Sequence, residues 1–325
     1  MMSKRTKILI FVLVLVCVVL MVCYLCRGSG TVKGSSKPVT RRPGEAAAVD
    51  TSKVAKEEEE QVAWMELPAS SSTGDDRCVI THTAQMEGRS QRNYTILYDD
   101  DLYAALWVAY PLCASHTSSG REETWGYDPK LSKSAQTSVK KGYGASEPTV
   151  NYPKNFYARG HQIPNADRNA VPQMQEQTYY ATNLVPQIQD KFNGGIWNNL
   201  ESAVRNAIPA SDTLYVTTGV TFKTVGGNET VTTIQPQHDT KKCPVPNYFY
   251  KVLLKVKRNS NGEVTSASTI GFWFEHRQYD DKYNNYAVSV DEIEELTGFD
   301  FFVNLPDTIE NTAEKNSNWT NFQNF

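Results

Sequence analysis

The chain has 325 residues, with 33 Lys and Arg against 36 Asp and Glu, a formal net charge of −3. Ten of the basic and six of the acidic residues fall in the first sixty, which leaves 23 and 30 for the remainder, a formal −7. That balance argues against a protein that coats nucleic acid, because such affinity comes from Lys and Arg releasing counterions, whereas an enzyme needs only a local patch.

Lys4, Arg5 and Lys7 precede an uncharged run from Ile8 to Cys26, closed by Arg27. The run is about as long as the ~20 apolar residues that cross a bilayer and longer than the core of a cleaved signal peptide. Residues 1–27 therefore read as a signal anchor or transmembrane segment. Its basic flank keeps the N-terminus cytoplasmic and the rest of the chain on the extracytoplasmic side. Export after cleavage is the alternative.

Residues 28–60 are Gly, Ser, Pro, Ala and charge, the composition of a disordered linker. Residues 61–325 are long enough for one domain with a sizeable core. Cys78, Cys113 and Cys243 lie in it, and an exported domain permits a disulfide. Cys113 with Cys243 is the preferred pair, three free thiols the alternative.

Cys78 to Met86 and Arg92 to Tyr98 alternate as strands, and Tyr103 to Leu112 is an apolar run suited to a central strand. Ser115 to Tyr152 is polar, Gly-containing and aperiodic, which predicts a loop wrapped beside a site. Phe156 to His161 and Tyr179 to Val185 read as two more strands, the second ending at Pro186. From Asn193 to Ile208 the residues Ile196, Leu200, Val204 and Ile208 recur every four positions, an amphipathic helix with Glu201 and Arg205 side by side on another face.

Strands are also predicted for Asp212 to Gly219, Tyr248 to Val256 and Ser266 to Phe274, with a hairpin around Gly226-Gly227-Asn228. Ser289 to Glu292 is a capping box opening a short helix that stops at Gly298. Glu310 to Phe325 reads as a polar tail. The fold class is α+β, a largely antiparallel central sheet with flanking helices.

Strand, loop, strand and helix between Phe156 and Ile208 would bring His161 to the first turn of the helix, a ββα finger able to hold a metal. The runs Arg159-Gly160-His161 and Asn193-Gly194-Gly195-Ile196-Trp197-Asn198-Asn199-Leu200-Glu201 resemble the signature of the DNA/RNA non-specific endonuclease family. The resemblance extends over most of Asn93 to Asp307. It implies a metal-dependent endonuclease that cuts DNA and RNA with little sequence preference and leaves 5′ phosphates and 3′ hydroxyls.

The resemblance also assigns roles. His161 would be the general base, Asn193 the ligand of a Mg²⁺ for which Mn²⁺ could substitute, and Glu201 a carboxylate orienting one of the ion's waters. Arg159 and Arg205 would hold the phosphate, with Arg121 the nearest candidate for the family's upstream arginine. Read from the residues alone, Arg168 either contacts substrate or pairs with Asp167 to brace the loop, and Asn183 and Gln187 either reach a nucleotide or satisfy backbone groups. DNA and RNA are the implied partners, with a homodimer allowed. The family's Asp before Arg159 is Ala158 here, which motivates a rival expectation, a silent binding module on the same fold. A phosphodiesterase acting on another substrate is a third.

Overall fold

The computed structural model describes residues 64–69, 77–143, 156–210, 212–222 and 231–325. The expected anchor, the linker and the hairpin around Gly226 lie outside the described residues. Among those described, no helix is long and apolar enough to cross a membrane.

In chain order the strands are β1 (Arg77–Met86), β2 (Arg89–Asp99), β3 (Ala104–Leu112), β4 (Tyr157–His161), β5 (Leu184–Ile188) and β6 (Leu214–Thr221). They continue with β7 (Thr233–Ile234), β8 (Cys243–Pro244), β9 (Tyr248–Arg258), β10 (Val264–Glu275) and β11 (Ala287–Val288). Seven of them form one sheet in the order β1-β2-β3-β6-β9-β10-β11, antiparallel throughout, while β4 pairs with β5 and β7 with β8. The helices are α1 (Pro172–Thr178), α2 (Asn198–Asn206), α3 (Val290–Thr297), α4 (Asp307–Ala313) and α5 (Trp319–Gln323). This is the α+β class that the alternating runs predict.

Both faces of the sheet are covered, which is why its central strands β3, β6 and β9 are buried almost without interruption. On one face Val108, Tyr110, Leu112, Phe249 and Leu253 pack under Ile196, Trp197, Leu200 and Val204. On the other, Trp107, Ala109, Tyr250, Val252 and Leu254 pack under Val290 and Ile293 of α3 and under Phe301 and Phe302. Ser289 caps α3 by accepting from the Glu292 N–H, and Gly298 ends it at φ 75, a left-handed conformation that suits glycine.

Three expectations are corrected. The strand predicted from Tyr179 begins only at Leu184, after the turn Ala181–Asn183, and runs through Pro186 to Ile188. Pro186 is tolerated because β5 pairs only with β4, leaving its other edge free of a ladder. The C-terminal stretch is no polar tail: Trp319 and Phe322, three residues apart on α5, are buried in the core, where Trp319 meets Phe272 with ring centres 5.4 Å apart. Among the described residues Cys113 and Cys243 are unpaired, as is Cys78. Cys113 Sγ lies 3.3 Å from Thr213 Oγ1 and Cys243 Sγ 3.5 Å from the Ile234 carbonyl, in different parts of the fold.

Candidate active site

The chain leaves the sheet after β3 and returns at β6, and the finger is built in this excursion. In β4, residues Tyr157 to His161 pair with Ile188 to Leu184. Gly160 is needed there, because a Cβ would sit 2.5 Å from the Gln187 side chain on the facing strand. The helix that follows is not straight. Gln189–Trp197 is a wide helical segment interrupted at Asp190, at Lys191 with φ 59 and at Gly195, before regular α2 begins at Asn198. The predicted single helix from Asn193 is thus two pieces, because Gly194-Gly195 lets the backbone depart from helical angles.

Arg159, Ala158 and Tyr157 of β4, together with Asn193 and Gln189 of the kinked segment, line a cavity of 440 Å³. Its remaining wall comes from the long loop: Arg121, Glu123, Trp125 and Lys141 to Tyr143. That loop was expected beside a site from its polarity and length. The Arg159 guanidinium stacks 3.6 Å from the centre of the Trp125 ring and donates to the Val139 and Lys140 carbonyls. Arg121 pairs with Glu123 at 3.2 Å and lies 5.8 Å from the Tyr179 ring. Glu123 also accepts from Trp125 Nε1 at 2.8 Å, and this bond with the two arginines holds its carboxyl below the usual range.

Asn193 is half-buried, and its Nδ2 donates to Gln189 Oε1 at 2.9 Å, which leaves the amide oxygen as its available ligand atom. One neutral oxygen on an open, arginine-rich cavity fits a hard cation that keeps most of its waters, as Mg²⁺ does.

His161 stands behind the cavity wall. Its ring meets Trp125 at 5.4 Å and Tyr179 at 5.3 Å between centres. Its Nε2 is sealed from solvent and has no hydrogen-bond partner among the described residues, so the ring's bond to the Arg159 backbone falls to Nδ1. Burial, reinforced by Arg121 and Arg159, pushes the imidazole down to about 3. It is therefore neutral at pH 7, with its free lone pair on Nε2.

The other expected residues lie deeper. Glu201 is beside fully buried Lys251, whose Nζ sits 5.1 Å from the centre of the Trp197 ring. Burial raises the Glu201 carboxyl and lowers the Lys251 ammonium, and the two charges oppose those shifts. Arg205 donates to Asp167 Oδ1 at 2.9 Å rather than facing the cavity, and Tyr110 donates to the other oxygen of that carboxylate.

Arg168 has no exposed surface; its guanidinium donates to the Asn93 side chain and to the carbonyls of Asn93, Pro111 and Asp167. Asn183, equally buried, bonds the backbone of Ile163 and Thr178. Gln187 is buried against Gly160 with neither amide atom partnered. Arg168, Asn183 and Gln187 are thus buried and Arg205 is held by Asp167, and none of the four lines the cavity.

Lys251 and Gln189 were missed. β9 carries Lys251, Lys255 and Lys257, so a lysine there was no distinguishing signal for the first, and Gln189 gave none. Trp125 belongs to the aperiodic stretch Ser115 to Tyr152, whose polarity marked the neighbourhood of a site but not this residue.

Residues 78–308 match the family described as DNA/RNA non-specific endonuclease. A nuclease of Nostoc sp. is 27% identical over 232 residues, covering 69% of this chain and 76% of that protein. The nuclease of Serratia marcescens is 27% identical over 219 residues, covering 67% and 75%. The mitochondrial nuclease EXOG of Danio rerio is 28% identical over 225 residues, covering 66% and 61%. A chain of the crystal structure of the EndoG/EndoGI complex shares the fold at a TM-score of 0.55 and 19% identity, covering 71% of this chain and 89% of that one.

Proposed function

This chain belongs to the DNA/RNA non-specific endonuclease family and is a nuclease, a hydrolase, and we propose that it cuts both DNA and RNA with Mg²⁺ at Asn193 and His161 as general base. The observation that carries this reading is the cavity itself, where Arg159, Arg121 and Asn193 converge on one space with the His161 ring just behind Trp125.

Arg159 and Arg121 hold a phosphate by paired N–H donors, which fit its oxygens better than an ammonium would. Trp125 lets the strand arm stack against Arg159 and covers His161 until substrate enters. His161 Nε2 takes the proton of a water as that water attacks phosphorus, the bond from phosphorus to the 3′ oxygen breaks, and the phosphate stays on the 5′ end. The ion, when bound at Asn193, supplies stabilisation of the charge that develops on the phosphate and leaving oxygen.

Glu201 acts from beneath the site, its charge tempered by Lys251 and Arg205, to orient groups around Asn193. Arg168, Asn183 and Gln187 serve the framework. Contacts to phosphate and no reading of base edges make cleavage independent of sequence. Residues 61–325 form the catalytic domain, held on the extracytoplasmic side by residues 1–27 through the linker 28–60.

The test is digestion of plasmid and of RNA by the full-length chain with Mg²⁺ and with EDTA, beside His161→Ala. Loss of both substrates only with Mg²⁺ and only in the wild type is expected. Turnover retained by the variant would remove His161 as the base.

A further inference from the structure

On the face of the sheet opposite the finger, Asp291 and Glu294 of α3 and Glu314, just past the end of α4, offer carboxylate oxygens that all lie within 4.8 Å of one another. Asp291 and Glu294 are three apart and so share a helix face. Glu314 is brought to them by the backbone: the Val290 N–H donates to the Glu314 carbonyl at 2.9 Å, and Thr269 Oγ1 of β10 donates to the Ala313 carbonyl at 2.8 Å.

Such a gathering of like charges is unfavourable and needs a counter-charge. Among the described residues, no Lys or Arg forms an ion pair with Asp291, Glu294 or Glu314. Asp300 and Glu310 add further negative charge beside them. One oxygen of Glu294 is occupied, accepting from the Phe301 N–H at 2.7 Å.

The second observation concerns Glu314 itself. It is only 6% exposed, and its Oε1 is buried with no hydrogen-bond partner among the described residues. A buried carboxylate oxygen without a donor is among the least tolerated features of a folded protein, and each one calls for a proton, a water or an ion.

We propose that Asp291, Glu294 and Glu314 form a second cation site, separate from the finger, that takes one Ca²⁺ and ties α3 to the segment after α4. Ca²⁺ binds six to eight oxygens at bond lengths that place opposite ligands roughly 5 Å apart, so three carboxylates at this spacing suit a single ion, with waters completing the shell. Mg²⁺ suits them less, since it holds its own waters and demands a tighter octahedron. The role is structural: the ion would cross-link two segments that pack on the same sheet face, as metal ligands from separate parts of a fold commonly do.

The rival explanation is a proton. Burial and the neighbouring carboxylates push Glu314 up to about 9 and Glu294 up to about 7, so without a cation the cluster would hold protons at neutral pH.

Equilibrium dialysis against ⁴⁵Ca²⁺ at pH 7.5 separates the two. It would use the full-length chain, Glu314→Gln, Asp291→Asn and Asn193→Ala, with folding of the first two verified by their Mg²⁺-dependent nuclease activity. Bound Ca²⁺ should fall by one equivalent per chain in Glu314→Gln and in Asp291→Asn, and the equivalent should persist in Asn193→Ala. The wild type should melt about 5 °C higher in saturating Ca²⁺, with that rise absent from Glu314→Gln. Equal Ca²⁺ stoichiometry in the wild type and in whichever of the two carboxylate variants folds would overturn the site and leave the proton as the counter-charge. Asp291 is half-buried near the helix start, so its variant carries the test if Glu314→Gln does not fold.

Discussion

On the strand arm of the finger, His161 Nε2 is shut away behind Trp125 and Tyr179 with no partner, whereas on the helical arm Asn193 stands half-buried on an open cavity. The strand arm is rigid because β4 and β5 are paired along their length and Gly160 lets them close on Gln187. The helical arm is irregular, broken at Lys191 and Gly195. The contrast separates two demands of the chemistry. A base must be neutral and dry before it acts, while a residue that binds a hydrated ion must be wet.

The largest test of that division is His161→Ala, expected to lower kcat by about 10²–10⁴-fold, the span ordinarily removed with a general base. A melting temperature close to wild type would accompany it; a collapse of the fold instead would mean the ring is a packing residue. Asn193→Ala is expected to weaken the metal requirement's midpoint by about 10–100-fold in Mg²⁺ concentration, a penalty typical of disturbing a metal's surroundings. An unchanged Mg²⁺ titration would move the ion elsewhere.

Trp125→Ala sharpens the strand arm's half of the contrast. Removing the wall restores solvent to His161, so its pKa should rise from about 3 toward the ordinary 6.5 while Arg121 and Arg159 still oppose the charge. The acid limb of kcat/KM then moves upward, and the variant loses activity between pH 4 and 6 where the wild type keeps it. Superimposable profiles would show that Trp125 does not control the base.

The last effect is on stability rather than rate. His161 is pushed to about 3, and His116 and His276 each to about 4, mainly by burial. Unfolded imidazoles titrate near 6.5, so below that pH the unfolded chain takes up protons that the folded chain refuses. Stability present above pH 6.5 is therefore lost as pH falls toward 4, at up to about 1.4 kcal/mol per pH unit for each histidine. Thermal melts from pH 8 to pH 4.5 should decline steadily; a flat curve would show that the three rings charge freely in the fold.

Much of the sheet was legible because burial on both faces leaves near-continuous apolar runs in central strands such as β3 and β9, and the α3 cap was legible because Ser289 and Gly298 sit where capping chemistry requires them. The cavity residues Arg159 and Asn193 were legible through their ordered motif. Arg168 and Arg205 were not, since a sequence shows a charge but not its partner: Arg168 answers to Asn93, and Arg205 to Asp167. Trp319 and Phe322 escaped notice because two apolar residues in a polar stretch carry no periodicity, although both are buried. Lys251 shares its strand with Lys255, Lys257 and Arg258, so the sequence does not single it out, and only the packing against Trp197 and Glu201 sets it apart.

Leu112 and Leu214 are cross-strand partners in the β3–β6 pairing, so everything that makes the finger is paid out and gathered back between two neighbouring strands. Joining those strands closes a loop of about a hundred residues, which in a flexible chain costs about 4 kcal/mol of closure entropy beyond the fixed term. The middle of the sheet is consequently the seam with the longest sequence separation, and long-range seams zip late and slowly. The same arrangement makes the excursion exchangeable: a relative could lengthen, shorten or re-route it while the two strands, and the sheet on either side of them, keep their register.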